Sequence, residues 1–132
     1  MLIRPATLDD VQGISQLLAK YYIGRLSDAQ KARGFISVEF TIAEIESMVR
    51  SPGMVVAVAE DGAISAVAGS SPIPSHGGRG VFQKIDELID QIAYNGKLLS
   101  QHRLFMYGPV CVDEASSGQG LSGKLWRGFV DM

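Results

Sequence analysis

The stretch Val110-Cys111-Val112-Asp113-Glu114-Ala115-Ser116-Ser117-Gly118-Gln119-Gly120-Leu121-Ser122-Gly123-Lys124-Leu125 decides how this chain is read. An apolar strand runs into small residues, and then into a helix that carries Leu121 and Leu125 on one side. The first backbone N–H groups of a helix have no partner within it, and the helix dipole is positive at that end. Together they form a place for an anion such as a phosphate. Glycines 118, 120 and 123 let such a group approach the main chain with no Cβ in the way. A glycine-rich turn that serves only helix–strand packing is the competing reading.

Two nucleotide-binding signatures fit the loop superficially. Gly118, Gly120 and Gly123 satisfy the G-x-G-x-x-G of dinucleotide sites. That site needs further parallel strands and an acidic residue about 20 positions downstream, whereas nine residues follow Gly123. Residues 118–124 also satisfy the G-x-x-x-x-G-K of P-loops. Leu125 stands where serine or threonine would hold magnesium, and no strand with a second metal-binding aspartate follows. A nucleotide-hydrolysing protein is thus the remote alternative.

Working outward, residues 104–112 read as the last strand, with Pro109 placing it at a sheet edge or at a bulge. Residues 54–59 and 64–68 read as a hairpin closed through Asp61-Gly62, and the Ala, Gly and Ser content of the second run implies close packing by another element. Residues 2–4 form a first strand. Thr7 and Asp10 then cap a helix with Val11, Ile14, Leu17, Leu18 and Tyr21 on one face, ending at Gly24. Residues 26–34 are polar and weakly helical. Thr41 with Glu44 opens a helix that Ser51-Pro52-Gly53 terminates. Residues 70–80 read as a loop rich in Pro and Gly. The spacing of Phe82, Ile85, Leu88, Ile89 and Ile92 predicts a helix over 81–93, with Lys84, Asp86, Glu87 and Asp90 as its solvated face. The terminal helix offers Leu121, Leu125, Trp126, Phe129 and Val130 for packing. The order is β-α-α-β-β-α-β-α, an α/β class.

Composition sets the outer limits. The 132 residues, 46% hydrophobic and 20% charged, fit one folded domain over 1–132. A net charge of −2 without a basic stripe excludes a nucleic-acid partner. The longest apolar run, 54–59, is far shorter than the ~20 residues of a membrane span. The N-terminus lacks the features of a secretory signal, so the cytoplasm is the expected compartment. Cys111 is the one cysteine, so no intramolecular disulfide forms, and its apolar neighbours mark a small buried hydrophobe. His76 and His102 have no ligand-spaced Cys or carboxylate partners, so no metal is expected.

The whole pattern resembles the GNAT acetyltransferase superfamily. Its acetyl-CoA motif is a strand ending in Val, five residues to an Arg or Gln, then Gly-x-Gly-x-Gly/Ala and a leucine-bearing helix. Val112 matches the valine, Gly118 and Gly120 the two glycines, Ser122 the small residue and Leu125 the leucine. Ser117 stands where Arg or Gln is usual, which removes a side chain but keeps a backbone amide. The opening Ile3-Arg4-Pro5-Ala6-Thr7-Leu8-Asp9-Asp10 also looks like the family's first strand and helix cap.

The resemblance implies a mixed, mostly antiparallel sheet flanked by helices, and an acetyl-CoA-dependent N-acetyltransferase or the N-terminal portion of one. It places the coenzyme pyrophosphate on the loop amides of Ser117, Gly118, Gln119, Gly120, Leu121, Ser122 and Gly123. The pantetheine arm would run along Val110, Cys111 and Val112, where a bulge points an amide at the thioester oxygen. A small-molecule or peptide amine attacks the thioester directly, so Cys111 would not be the nucleophile. Tyr107, Glu39 and Glu60 are candidates for the general base by residue type alone. Tyr21, Tyr22, Arg25 and Phe35 fall where the family's acceptor-binding segment is expected. Family members continue with a parallel strand, a helix and a closing hairpin that this chain lacks. The expectation is therefore a truncated domain or one completed by a partner, with its last strand open to homodimer pairing. A non-catalytic interaction or regulatory module retaining the fold is the alternative.

Overall fold

The computed structural model describes residues 1–75 and 80–132. Its main elements are β1 (Leu2–Pro5), α1 (Val11–Lys20), α2 (Asp28–Lys31), α3 (Ile42–Arg50), β2 (Val55–Val58), β3 (Ile64–Ile73), α4 (Val81–Leu88), β4 (Ala93–Tyr94), β5 (Lys97–Leu98), β6 (Leu104–Val112) and α5 (Leu121–Val130). The central sheet runs β1-β2-β3-β6 with every neighbouring pair antiparallel. β4 and β5 form a separate two-stranded hairpin.

Local chemistry explains the element ends. At the start of α3, Glu44 N–H donates to Thr41 Oγ1 and Thr41 N–H donates to the Glu44 carboxylate, each at 3.1 Å. This reciprocal pair satisfies two otherwise unpaired donors. The β2–β3 turn closes with Gly62 at φ +87° and with Ala63 N–H donating to Asp61 Oδ1 at 2.9 Å. Ahead of α1, the Asp10 carboxylate accepts from Thr7 N–H at 2.8 Å and takes both Arg4 guanidinium nitrogens, at 2.7 and 2.9 Å.

The sheet separates two packing layers. Val56, Val67 and Cys111 face α1 and α3, meeting Ile14, Leu17, Leu18, Ile45 and Met48. Val55, Ala57, Ala66 and Ala68 face α5, where Leu121, Leu125 and Phe129 cover them. The small residues of β3 thus let α5 lie close, as the composition implied. Gly128 serves this contact, since a Cβ there would come within 3.0 Å of Val55 and 3.1 Å of Ile3.

Several expected boundaries move. α1 stops at Lys20, and Gly24 instead sits in a short 3-10 turn, Ile23–Arg25. β3 continues to Ile73, through residues expected to be loop, because Ser70, Ser71, Pro72 and Ile73 pair with Tyr107, Met106, Phe105 and Leu104. His76, Gly77 and Gly78 of that expected loop lie outside the described residues. α4 ends at Leu88 with Ile89 as its C-cap, and the β4–β5 hairpin starts only at Ala93; in the 3-10 turn after β5, Ser100 and Leu99 donate to the carbonyls of Ile89 and Ile92. Asp86, expected on a solvated face, accepts from the Ser75 N–H at 2.7 Å and from the Ser75 hydroxyl. Trp126 and Val130 remain largely exposed rather than joining the core.

The Arg4–Asp10 pair has a pH signature. Asp10 is buried, and the Arg4 hydrogen bonds hold its carboxyl below the usual aspartate range against the opposing effect of burial. Its folded pKa therefore lies under the unfolded value of about 3.9. The stabilisation is present above that value and is lost as pH falls through the folded pKa. Asp10→Asn is expected to cost about 2 kcal/mol at neutral pH. In urea titrations the gap to the parent chain should close below pH 4, and a gap of constant size would contradict this account.

Candidate functional site

The strand–loop–helix unit is built as the sequence indicates, with β6 ending at Val112, a 3-10 turn at Glu114–Ser116 and α5 opening at Leu121. Ser117 N–H is engaged by the Glu114 carbonyl at 3.1 Å, so it is not one of the open donors. Gly118, Gln119, Gly120, Leu121, Ser122 and Gly123 have no acceptor for their amides among the described residues. Gly118 and Gly120 stand at φ +78° and +70°, in the left-handed region that favours glycine. An added Cβ at Gly118, Gly120 or Gly123 would meet no protein atom within 4 Å. Packing therefore requires none of the three, and the space beside them is open.

β6 is the outer strand of the sheet. Asp113 N–H donates to the Ser65 carbonyl at 2.8 Å, which makes that pair the hydrogen-bonded kind. Alternation then turns Cys111 toward β3 and directs the amide and carbonyl of Val110 and Val112 outward. A bulge interrupts the ladder where Gly108 and Pro109 together oppose Gly69, because Ala68 pairs with Val110 and Ser70 with Tyr107. The strand is thus both an edge and bulged at Pro109.

A cavity of about 550 Å³ lies along this edge. Val110, Cys111 and Val112 form one wall, and Leu26, Phe35 and Ile36 another. Lys20, Tyr21, Gln30, Arg33, Glu114 and Ser117 supply polar groups. Ser117 both lines the cavity and leads into the open loop. At the rim, Tyr21 donates to Asp113 Oδ1 at 2.5 Å and Lys20 Nζ meets the same oxygen at 2.9 Å. Arg33 pairs with Glu114. Hydrogen bonds from Lys20 and Tyr21 hold the Asp113 carboxyl below its ordinary range, while burial and the bond to Asp113 raise the Tyr21 phenol. Burial pushes the Cys111 thiol up to about 12, so at neutral pH it carries almost no thiolate.

The structure does not gather the three residues considered for the general base. Tyr107 packs edge-on against Trp126, with ring centroids 4.8 Å apart, in the layer with α5. Glu39 is exposed and lies 3.6 Å from Arg25. Glu60 is exposed at the β2–β3 turn. None of them lines the cavity. Of the expected acceptor segment, Tyr21 and Phe35 reach the cavity, whereas Tyr22 and Arg25 do not. Sequence reasoning missed Lys20, Gln30, Arg33 and Glu114 as wall residues. Glu114 lay within the decisive stretch, but nothing local marks its side chain as facing a cavity.

No protein-family model matches the chain, and no curated protein matches it in sequence. Solved structures do match. The BH1408 protein of Bacillus halodurans superposes at TM-score 0.58 and 18% identity, over 99% of this chain and 74% of that one. The GphF GNAT-like decarboxylase, in complex with isobutyryl-CoA, gives 0.59 and 19%, over 99% and 58%. The Escherichia coli GNAT family N-acetyltransferase YhbS, in complex with CoA, gives 0.54 and 20%, over 98% and 54%. The chain has the GNAT fold. Within the GNAT fold the open loop and the outward edge of β6 are parts of one strand–loop–helix unit, and the cavity adjoins both. The chain spans little more than half the length of the two CoA-bound structures. No helix among the described residues is long and apolar enough to cross a membrane.

Proposed function

We propose that the chain is a cytoplasmic acetyl-CoA-dependent N-acetyltransferase, or the N-terminal portion of one. The observation that carries this reading is the run of unpartnered amides at 118–123, beside the outward main-chain groups of Val110 and Val112. Three glycines leave that cradle unfilled by any Cβ. The donor set suits a pyrophosphate, which needs several hydrogen bonds and gains from the helix dipole.

In this reading residues 118–123 hold the pyrophosphate, and Val110 and Val112 pair with the amide groups of the pantetheine arm. Bound acetyl-CoA supplies an activated acyl group. With acetyl-CoA bound, an outward amide of β6 would be placed to donate to the thioester oxygen while an amine forms the new amide bond and coenzyme A departs as the thiol, carrying the proton the amine loses. The cavity between β6 and residues 20–36 admits a small-molecule or peptide amine. Cys111 takes no part as a nucleophile, because its thiol is buried and protonated. Pairing of two copies along the open edge of β6 would use the same outward groups of Val110 and Val112 and so competes with the pantetheine arm; sizing at rising concentration, with and without coenzyme A, decides it.

Thermal shift tests the cofactor class. Coenzyme A and acetyl-CoA are expected to stabilise the fold by about 2.7 kcal/mol at one hundred times Kd. ATP and NAD at equal concentration should leave the melting point unchanged. Stabilisation by magnesium-ATP without any by coenzyme A would overturn the reading in favour of a nucleotide-hydrolysing loop.

A further inference from the structure

We propose that Tyr21 is a positioning residue for coenzyme binding, its hydroxyl clamping the base of the glycine loop to the end of α1. This rests on the coenzyme reading above. The ladder with β3 holds the chain as far as Asp113, whose N–H donates to Ser65. Beyond that point the sheet gives no further support. The Tyr21 hydroxyl takes over there, donating to Asp113 Oδ1 at 2.5 Å and accepting from Glu114 N–H at 2.7 Å. One phenol thereby engages two consecutive residues from 92 and 93 positions away.

The surroundings reinforce the clamp. Lys20 Nζ meets the same Asp113 oxygen at 2.9 Å and lies 5.5 Å from the Tyr21 ring centroid. Glu114 begins the 3-10 turn, and Ser117 closes it through two bonds to the Glu114 carbonyl before the open amides start. The hydrogen of the Tyr21 hydroxyl is committed to Asp113, so it has none to offer a reacting atom. Its role is to set where residues 118–123 stand, not to move protons. The clamp lies at the loop and not along β6, so it bears on the pyrophosphate end of the ligand.

Tyr21→Phe keeps the ring and removes both hydrogen bonds, with Tyr22→Phe as the neighbouring control. Two readouts are needed: amide hydrogen exchange without ligand at Glu114, Ser116 and Ser117, the loop-base amides that are hydrogen-bonded, and Kd for coenzyme A and for pantetheine, which lacks the pyrophosphate. Tyr21→Phe is expected to speed exchange there about tenfold and to raise the coenzyme A Kd about tenfold. Pantetheine affinity should stay as in the parent chain, and Tyr22→Phe should change neither readout. Unchanged exchange overturns the clamp. Faster exchange with unchanged coenzyme A affinity, or with equal loss for pantetheine, overturns the positioning role. If the parent chain binds no coenzyme A, the proposed function falls, while the exchange comparison still decides the clamp by itself.

Discussion

Gly120→Ala is expected to weaken coenzyme A binding at least about a hundredfold, and Gly123→Ala to weaken it while making the fold more stable. The two glycines differ in why they could be needed. Gly120 sits at φ +70°, ψ 24°, a left-handed conformation that costs an alanine about 1–2 kcal/mol. Its replacement therefore loses both stability and the open approach to the main chain. Gly123 lies inside α5 with no positive φ and no neighbour within 4 Å of an added Cβ. Glycine in a helix is worse than alanine by about 0.5–1 kcal/mol, so Gly123→Ala should raise the melting temperature. A loop built only for packing has no reason to keep glycine there. Calorimetry on both variants, with coenzyme A titrated into each, checks the pair. Lower stability in Gly123→Ala, or unchanged affinity in both, would favour the packing explanation.

Leu125→Ala is expected to destabilise the chain by about 3 kcal/mol, a loss of about 10 °C in melting temperature. Leu125 is fully buried against Val55, Ala57, Ala66 and Ala68. The partners are mostly alanines, whose short side chains cannot move in to fill the space left behind. With native stabilities of about 5–15 kcal/mol, such a loss is a large fraction of the whole. The cost should also reach the loop, because Leu121, Leu125 and Phe129 are what hold α5 on the sheet. Urea denaturation measures the effect; a loss under 1 kcal/mol would mean that α5 is not anchored this way.

These expectations show where the fold was legible in the sequence. The capping pair Thr41 and Glu44, the turn at Asp61-Gly62 and the stop at Ser51-Pro52-Gly53 act through local chemistry, and α3, β2 and the hairpin follow from them. Leu104–Val112 was readable as a strand because its ends are marked by residue type and Pro109 is tolerated at an edge. The extension of β3 to Ile73 was not, since Ser70 and Ser71 look like loop residues until distant Tyr107 and Met106 pair with them. The helical spacing over 81–93 misled for a similar reason. Ile89 is buried as the C-cap of α4, its N–H still bonded to the Ile85 carbonyl, and the helix goes no further before the hairpin begins at Ala93. Asn95-Gly96, both at positive φ, was the local signal for that hairpin.

The site divides the same way. Its glycine loop is contiguous, so its donors could be read from the order of residues alone. The cavity is assembled from Lys20, Tyr21, residues 26–36 and the end of β6, which tertiary packing alone brings together. No periodicity or spacing announces that Arg33 meets Glu114, or that Tyr21 meets Asp113.

The most direct measurement is a titration of the isotope-labelled chain with coenzyme A, following backbone amide resonances by NMR. If the amides of residues 118–123 receive the pyrophosphate, they should shift downfield together and saturate at one Kd, with smaller changes at Val110 and Val112 following the same curve. Saturable binding that leaves the 118–123 resonances in place, with shifts confined to another surface, would contradict the account.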